Sequence, residues 1–225
     1  MTGNTVTDAA GSGVLLSSVD GAWLHNNRID TVAGSGIETQ DTDNAMVQEN
    51  TVADAGRDGI EMVGGDNLQI LENHVTAAAR HGIAVDATGG VQVAGNRIAE
   101  SGLSGIQVAN AAGVAIHENQ IVQSGNHGIA VQNTGDTQID SNLLTSTGGD
   151  GIHVAGSVSA NITNNMLGET GGDAIYASGT ETVVVQENEI LRSHGRGINV
   201  EDFQTADLLA NQLVDLIKKN HYRLK

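Results

Sequence analysis

Asparagine returns every 23 residues along this chain, at positions 4, 27, 50, 73, 96, 119, 142, 165, 188 and 211, with no insertion or deletion between them. A fixed interval of this length marks a repeat architecture, in which each unit buries its apolar face only against copies of itself. A second anchor keeps the same interval. Glycine followed by valine or isoleucine begins at 13, 36, 59, 82, 105, 128, 151 and 197, and Ala174 stands in the remaining place.

The apolar residues are locked to both anchors. Two residues after the asparagines stand Val6, Ile29, Val52, Val75, Ile98, Ile121, Leu144, Leu167, Ile190 and Leu213; three residues before the later ones stand Leu24, Val47, Ile70, Val93, Ile116, Ile139, Ile162, Val185 and Leu208. After each glycine, aliphatic, variable and aliphatic residues follow, as in Gly105-Ile106-Gln107-Val108. Alternation over four or five residues is the pattern of a short strand with one buried face. Gly, Asn, Asp, Ser and Thr separate these segments and suit tight turns. Three strands and three turns in 23 residues predict one coil of a parallel β-solenoid, each strand pairing with its counterpart one coil away at ~4.8 Å. About nine such coils make an all-β rod on the order of 45 Å long.

A leucine-rich repeat shares part of this template, visible in Val114-Ala115-Ile116-His117-Glu118-Asn119-Gln120-Ile121. It also needs a leucine three positions earlier, where this chain has Val19, Thr42, Gly65, Thr88, Ala111, Thr134, Ser157 and Thr180. That reading is set aside. The asparagine column, Asn27, Asn50, Asn73, Asn96, Asn119, Asn142, Asn165 and Asn188 at its centre, is read as structural. Asparagine tolerates a left-handed corner, and amides stacked at strand spacing can hydrogen-bond from coil to coil. The alternative, an outward amide stripe for sugar, requires the side chains to face solvent.

The combined motif GIxV … xxIxxNxI … SGxxGI, running from residue 3 to about 204, resembles the right-handed parallel β-helix of the pectin-lyase-like superfamily. It is most similar to the carbohydrate-active repeat branch that includes mannuronan C5-epimerases and periplasmic copper-site maturation proteins. The resemblance implies a right-handed coil with an internal asparagine ladder. It also implies secreted or periplasmic relatives, and polysaccharide as a class of partner.

The two ends read differently. Gly3-Asn4-Thr5-Val6 already lies in register, so the first coil is expected to carry no cap, which leaves strand edges open to end-to-end self-association. No leader peptide is expected before it. The segment 205–225 is expected to be a separate C-terminal cap: Leu208, Leu209, Leu213, Leu216 and Ile217 fall at helical spacing, with Thr205 as N-cap and a basic tail. Residues 1–204 then form the repeat domain. An interval without a single insertion is the mark of a trimmed, idealised or engineered repeat.

Composition removes several classes of function. There is no cysteine and no proline, and only four of the 225 residues are Phe, Tyr or Trp, so no thiolate chemistry, disulfide framework or large aromatic core is available. The net charge is −17, and because three lysines and Arg223 lie in the last eight residues, the first 217 carry six arginines against all 27 acids, a balance of −21. That field repels phosphate backbones, so nucleic acid is not expected as a partner. No apolar run reaches the ~18 residues needed to span a bilayer as a helix, and no membrane partner is expected. No cofactor is expected either.

Stacking the repeats brings candidate chemistry into view. The position between the two strand aliphatics reads Leu15, Glu38, Glu61, Ala84, Gln107, Ala130, His153, Tyr176, Asn199; the position before the glycine reads Ser12, Ser35, Asp58, His81, Ser104, His127, Asp150, Asp173, Arg196. The last coils therefore group Asp150, His153, Asp173, Tyr176 and Arg196 on one outward patch. Proton abstraction beside a uronate carboxylate needs a cation such as Arg196, a base such as His153 and an acid such as Tyr176. These types resemble those of alginate epimerases and lyases, although the Asp-Pro-His signature of that family is replaced by Asp150-Gly151-Ile152-His153. Any solenoid surface carries polar residues, however. Asp20, Asp43 and Asp66 share a turn position and are read as solvated rather than as calcium ligands, and the histidines share no column beyond His81 with His127, so no metal site is expected.

The sequence is therefore read as a non-catalytic β-helix scaffold or interaction module. The competing readings are a uronate epimerase- or lyase-like enzyme, or a carbohydrate-binding module, using the Asp150 to Arg196 patch, and a self-assembling stacking module.

Overall fold

The computed structural model describes residues 1–214 and 222–224. The chain winds through three parallel sheets. The first sheet has ten strands, from Thr5–Ala9 to Gln212–Val214; the second has ten, from Val14–Ser17 to Tyr222–Leu224; the third has nine, from Trp23–His25 to Thr205–Leu209. Each of the first nine coils contributes one strand to each sheet, and the register is 23 throughout the interior, as in Ile98↔Ile121, Ile106↔Ile129 and Ile116↔Ile139. The pairing predicted from the alternation is observed.

Because the register never slips, like stacks on like. Ile70, Val93, Ile116, Ile139, Ile162 and Val185 form one buried column, and Val75, Ile98, Ile121, Leu144, Leu167 and Ile190 another. The column that would hold leucine in a leucine-rich repeat points inward at Thr42, Ala111, Thr134, Ser157 and Thr180, whereas Val19 and Thr88 are exposed. It is filled by small residues, with Thr134 and Ser157 sharing a hydroxyl hydrogen bond of 2.7 Å.

Turning the backbone through three sheets requires corners, and each coil makes them with left-handed residues. Four columns carry positive φ: the residue just before each ladder asparagine (Asn26, Glu49, Glu72), the fourth residue after it (Thr31, Asp54, Ala77), the residue following the second-sheet strand (Ser18, Asp41, Gly64), and a shorter column of Gly21, Asn44 and Asn67. The ladder asparagines are not among them. The corner reading placed the left-handed backbone on the wrong residue: its partner just before turns the chain, and the asparagine itself is chosen for its amide. Thr31 is the β-branched residue in these columns, at φ 55°, a conformation that costs such a side chain about 1–2 kcal/mol. Thr31→Asn is expected to raise stability by about 1 kcal/mol, read as a shift in the urea midpoint with an unchanged slope.

The expected C-terminal helix is not found: among the described residues there is none. Thr205–Leu209 pairs with Thr182–Gln186, and Gln212–Val214 pairs with Glu189–Leu191, continuing the coil. The apparent helical stripe divides between the two faces of a strand, with Leu208 and Leu213 packed on the core and Leu209 exposed. Continuing the sheets hydrogen-bonds the ninth coil's strand edges, which a helix laid across them would leave unpaired. Leu216 and Ile217 lie outside the described residues.

Candidate functional site

The asparagine ladder is inside the molecule, so it is not a sugar-binding stripe. Each interior amide is fully bonded. The Asn119 Oδ1 accepts the Asn96 backbone N–H at 2.9 Å and the Asn96 Nδ2–H at 3.0 Å, while its own Nδ2 donates to the Val93 and His117 carbonyls and to the Asn142 Oδ1. Asn27 to Asn188 are all 1–2 % exposed.

A second ladder runs along the column before the glycines, where the candidate chemistry lies. A side-chain acceptor in one coil caps the backbone N–H of its counterpart in the next: Ser12 Oγ accepts from Ser35 at 3.2 Å, Asp58 Oδ1 from His81 at 2.9 Å, His81 Nδ1 from Ser104 at 3.3 Å, His127 Nδ1 from Asp150 at 3.0 Å, and Asp150 Oδ1 from Asp173 at 2.7 Å. Asp173 Oδ1 caps Arg196 in the same way. Ser12, the aspartates and the histidines all present an acceptor at this reach, whereas Ser35 Oγ donates to Glu61 instead and the buried Ser104 Oγ makes no hydrogen bond. The Asp43 and Asp66 carboxylates behave similarly, Asp43 capping the Asp66 N–H and Asp66 the Gly90 N–H.

A diagonal set of contacts crosses the second sheet at an offset of 26, one coil plus three residues. Ser12 donates to Glu38, Ser35 to Glu61, and Asn199 to Asp173; the rings of His127 and His153 lie 4.5 Å apart. The structure thus assembles the five candidates as two linked groups. His153 Nδ1 is 2.8 Å from Asp150 Oδ2, and its ring stacks on Tyr176 with centroids 4.8 Å apart. Arg196 lies beside Asp173, at 3.9 Å, with its Nε buried and unpartnered. Column inspection missed His127, which joins this group through the diagonal; the spacing 127 to 153 is the sequence signal that would have found it.

Burial sets the protonation of the two capping histidines. Loss of water holds His81 below the ordinary imidazole value, partly offset by the Asp58 carboxylate; it lowers His127 likewise, with His153 adding to the effect and Asp150 opposing it. A protonated Nδ1 cannot accept the next coil's N–H. With the folded value depressed, the unfolded chain binds a proton that the folded one refuses, so stability is complete above the ordinary value of 6.5 and declines as pH falls through the folded value. His81→Ser, which keeps an acceptor in the column, is expected to flatten the decline between pH 7.5 and 5, measured by urea unfolding at each pH.

Next to this face, at the corner between the first and second sheets, a groove of about 860 Å³ crosses five coils. Its floor is Gly102, Gly125, Gly148 and Gly171, stacked so closely that a Cβ on Gly125 would lie 2.2 Å from the Gly102 carbonyl oxygen. Glu169 and Arg192, ion-paired at 3.2 Å, line its far end with His194.

Three stacked parallel sheets, an internal amide ladder and a 23-residue register define a parallel β-solenoid of the pectin-lyase-like type. The sequence matches the right-handed β-helix region over residues 1–121 and again over 104–217, and the chain belongs to that family. Among solved structures it is similar to the A-module of the Azotobacter vinelandii mannuronan C-5 epimerase AlgE4, with a TM-score of 0.60, 16 % identity, and coverage of 100 % of this chain and 78 % of that one. It is also similar to the periplasmic alginate epimerase AlgG (0.54, 17 %, covering 87 % of this chain and 51 % of that one) and to the Streptococcus pneumoniae surface adhesin PfbA (0.53, 15 %, covering 99 % and 60 %). Identities this low carry the fold alone. No curated protein matches the sequence.

Proposed function

We propose that the protein is a non-catalytic β-helix interaction module, a rigid rod that presents its outward faces to a partner. The observation that supports this reading is the use to which the candidate acid–base residues are put. Asp150 and Asp173 cap backbone N–H groups of the next coil, and Arg196, the cation a uronate carboxylate would need, is drawn to Asp173, which also accepts from Asn199. Carboxylates and a cation tied into the stacking of the coils serve the rod before they serve a substrate. Incubation with alginate and with polygalacturonate tests it: neither unsaturated products, followed by absorbance, nor exchange of C5 protons with deuterated solvent is expected. Turnover that disappears in His153→Ala would sink the reading.

The corner groove favours a second reading, a carbohydrate-binding module. Its five-coil length suits an extended chain of sugars, and its glycine floor lets a ligand approach the backbone closely. Titration with oligosaccharides decides between them, since Glu169→Gln and Arg192→Gln would weaken groove binding and leave a partner on another face unaffected.

A further inference from the structure

We infer that His127, Asp150 and His153 form a binding site for a borderline divalent metal ion such as Zn²⁺. One ligand atom from each of the three lies within 4.8 Å of the others. Two histidines and one carboxylate, with room for solvent as a fourth ligand, are a recurrent donor set for such ions.

The geometry of the individual atoms carries the inference. His127 Nδ1 accepts the Asp150 N–H, so it holds a lone pair and no proton, yet it faces the Asp150 Oδ2 at 3.5 Å. Two electron-rich atoms thus oppose each other without a hydrogen between them, an arrangement that a cation converts from repulsion to attraction. On the other side, His153 Nδ1 is 2.8 Å from the same Oδ2. Ligand atoms bound tetrahedrally at ~2.0–2.1 Å are separated by roughly 3.3 Å, and the two observed separations bracket that value. The third separation, between the two histidine ligand atoms, is within 4.8 Å, so closing the site calls for side-chain rotation.

Coordination is balanced without an external reagent. His153 binds through Nδ1 after its ring proton moves to Nε2, and His127 already has its lone pair at Nδ1 and exchanges one backbone hydrogen bond for the metal. Asp150 binds through Oδ2 while Oδ1 stays on the Asp173 N–H, which fixes the carboxylate plane. Tyr176 stacks on the far face of His153 and fixes that ring. Supports of this kind orient ligands and tighten metal sites. The three side chains are each about one-fifth exposed, so an ion can enter from solvent and remain partly shielded.

Titration calorimetry of the full chain with Zn²⁺ at pH 7.5 tests the site, using substitutions the fold already accepts in the same columns. His127→Ser and His153→Gln copy Ser104 and Gln107, and Asp150→Asn keeps an acceptor for Asp173. We expect one saturable Zn²⁺ per chain at this site, weakened more than about tenfold by each of the three variants and unchanged by His81→Ser. Ca²⁺ is not expected to compete, because imidazole nitrogen suits it poorly. Circular dichroism of each variant checks that the β signal is retained. No saturable binding at millimolar Zn²⁺, or wild-type affinity in the folded His153→Gln and Asp150→Asn variants, would overturn the assignment.

Discussion

Replacing Asn119 with alanine is expected to lower the unfolding free energy by about 3–5 kcal/mol, far more than a polar-to-alanine change on a surface. The substitution removes the acceptor of the Asn96 backbone N–H and of the Asn96 amide, and removes the donor that satisfies the Val93 and His117 carbonyls. Water cannot reach these groups, because Asn96 and Asn119 are each 1 % exposed. Buried donors stranded in this way cost about 1–3 kcal/mol each. The same change at Asn4, the exposed first member of the column, strands no buried donor and is expected to cost under about 1 kcal/mol. Urea unfolding of the two variants beside the parent measures the difference.

Ile116→Ala is expected to cost about 3–4 kcal/mol. Ile116 is fully buried and stacks directly between Val93 and Ile139 in the column of the third sheet. Those neighbours cannot close the cavity, since the sheets hold their backbones at strand spacing on both sides. An incomplete collapse keeps the loss well above the lower end of the range of about 2–5 kcal/mol for such changes. Leu209→Ala, on the exposed face of the last complete third-sheet strand, is expected to change stability by less than about 0.5 kcal/mol.

How far the fold could be read in advance follows from these same residues. A solenoid has only nearest-neighbour contacts, so a column of identical residue types at a fixed interval is a direct image of a stack in space. The buried aliphatics, the three strands per coil and the interior position of the ladder are all legible in this way. The segment from Thr205 was not, because Leu208, Leu209 and Leu213 satisfy a helical stripe and a strand alternation alike; the decision rests on the ninth coil's unpaired edges, a tertiary quantity. The left-handed corner was misplaced by one residue because asparagine is favoured both by positive φ and by amide stacking, and residue identity alone does not separate the two causes.

The candidate site was half legible. Asp150, His153 and Tyr176 come together as their columns require. His127 joins them through a contact of one coil plus three residues, whose existence depends on how side chains lean across the sheet, and Arg196 is drawn to Asp173 instead of standing free. Columns therefore recover what stacks vertically and lose what crosses diagonally. It is the diagonal that turns a row of structural caps into a cluster of metal-binding donors.

The central claim, a backbone that climbs one coil every 23 residues, is tested most directly by covalent trapping in this cysteine-free chain. Val122 and Thr145 are paired one coil apart in the first sheet, and Thr145 is paired in turn with Gly168. The double variant Val122→Cys with Thr145→Cys is expected to form an intramolecular disulfide under mild oxidation, because the ~4.8 Å strand spacing lies within the span a disulfide bridges. Val122→Cys with Gly168→Cys, two coils apart at roughly twice that distance, is expected to stay reduced. Failure of the first pair to close in folded protein, or equal closure of the second, would contradict the account.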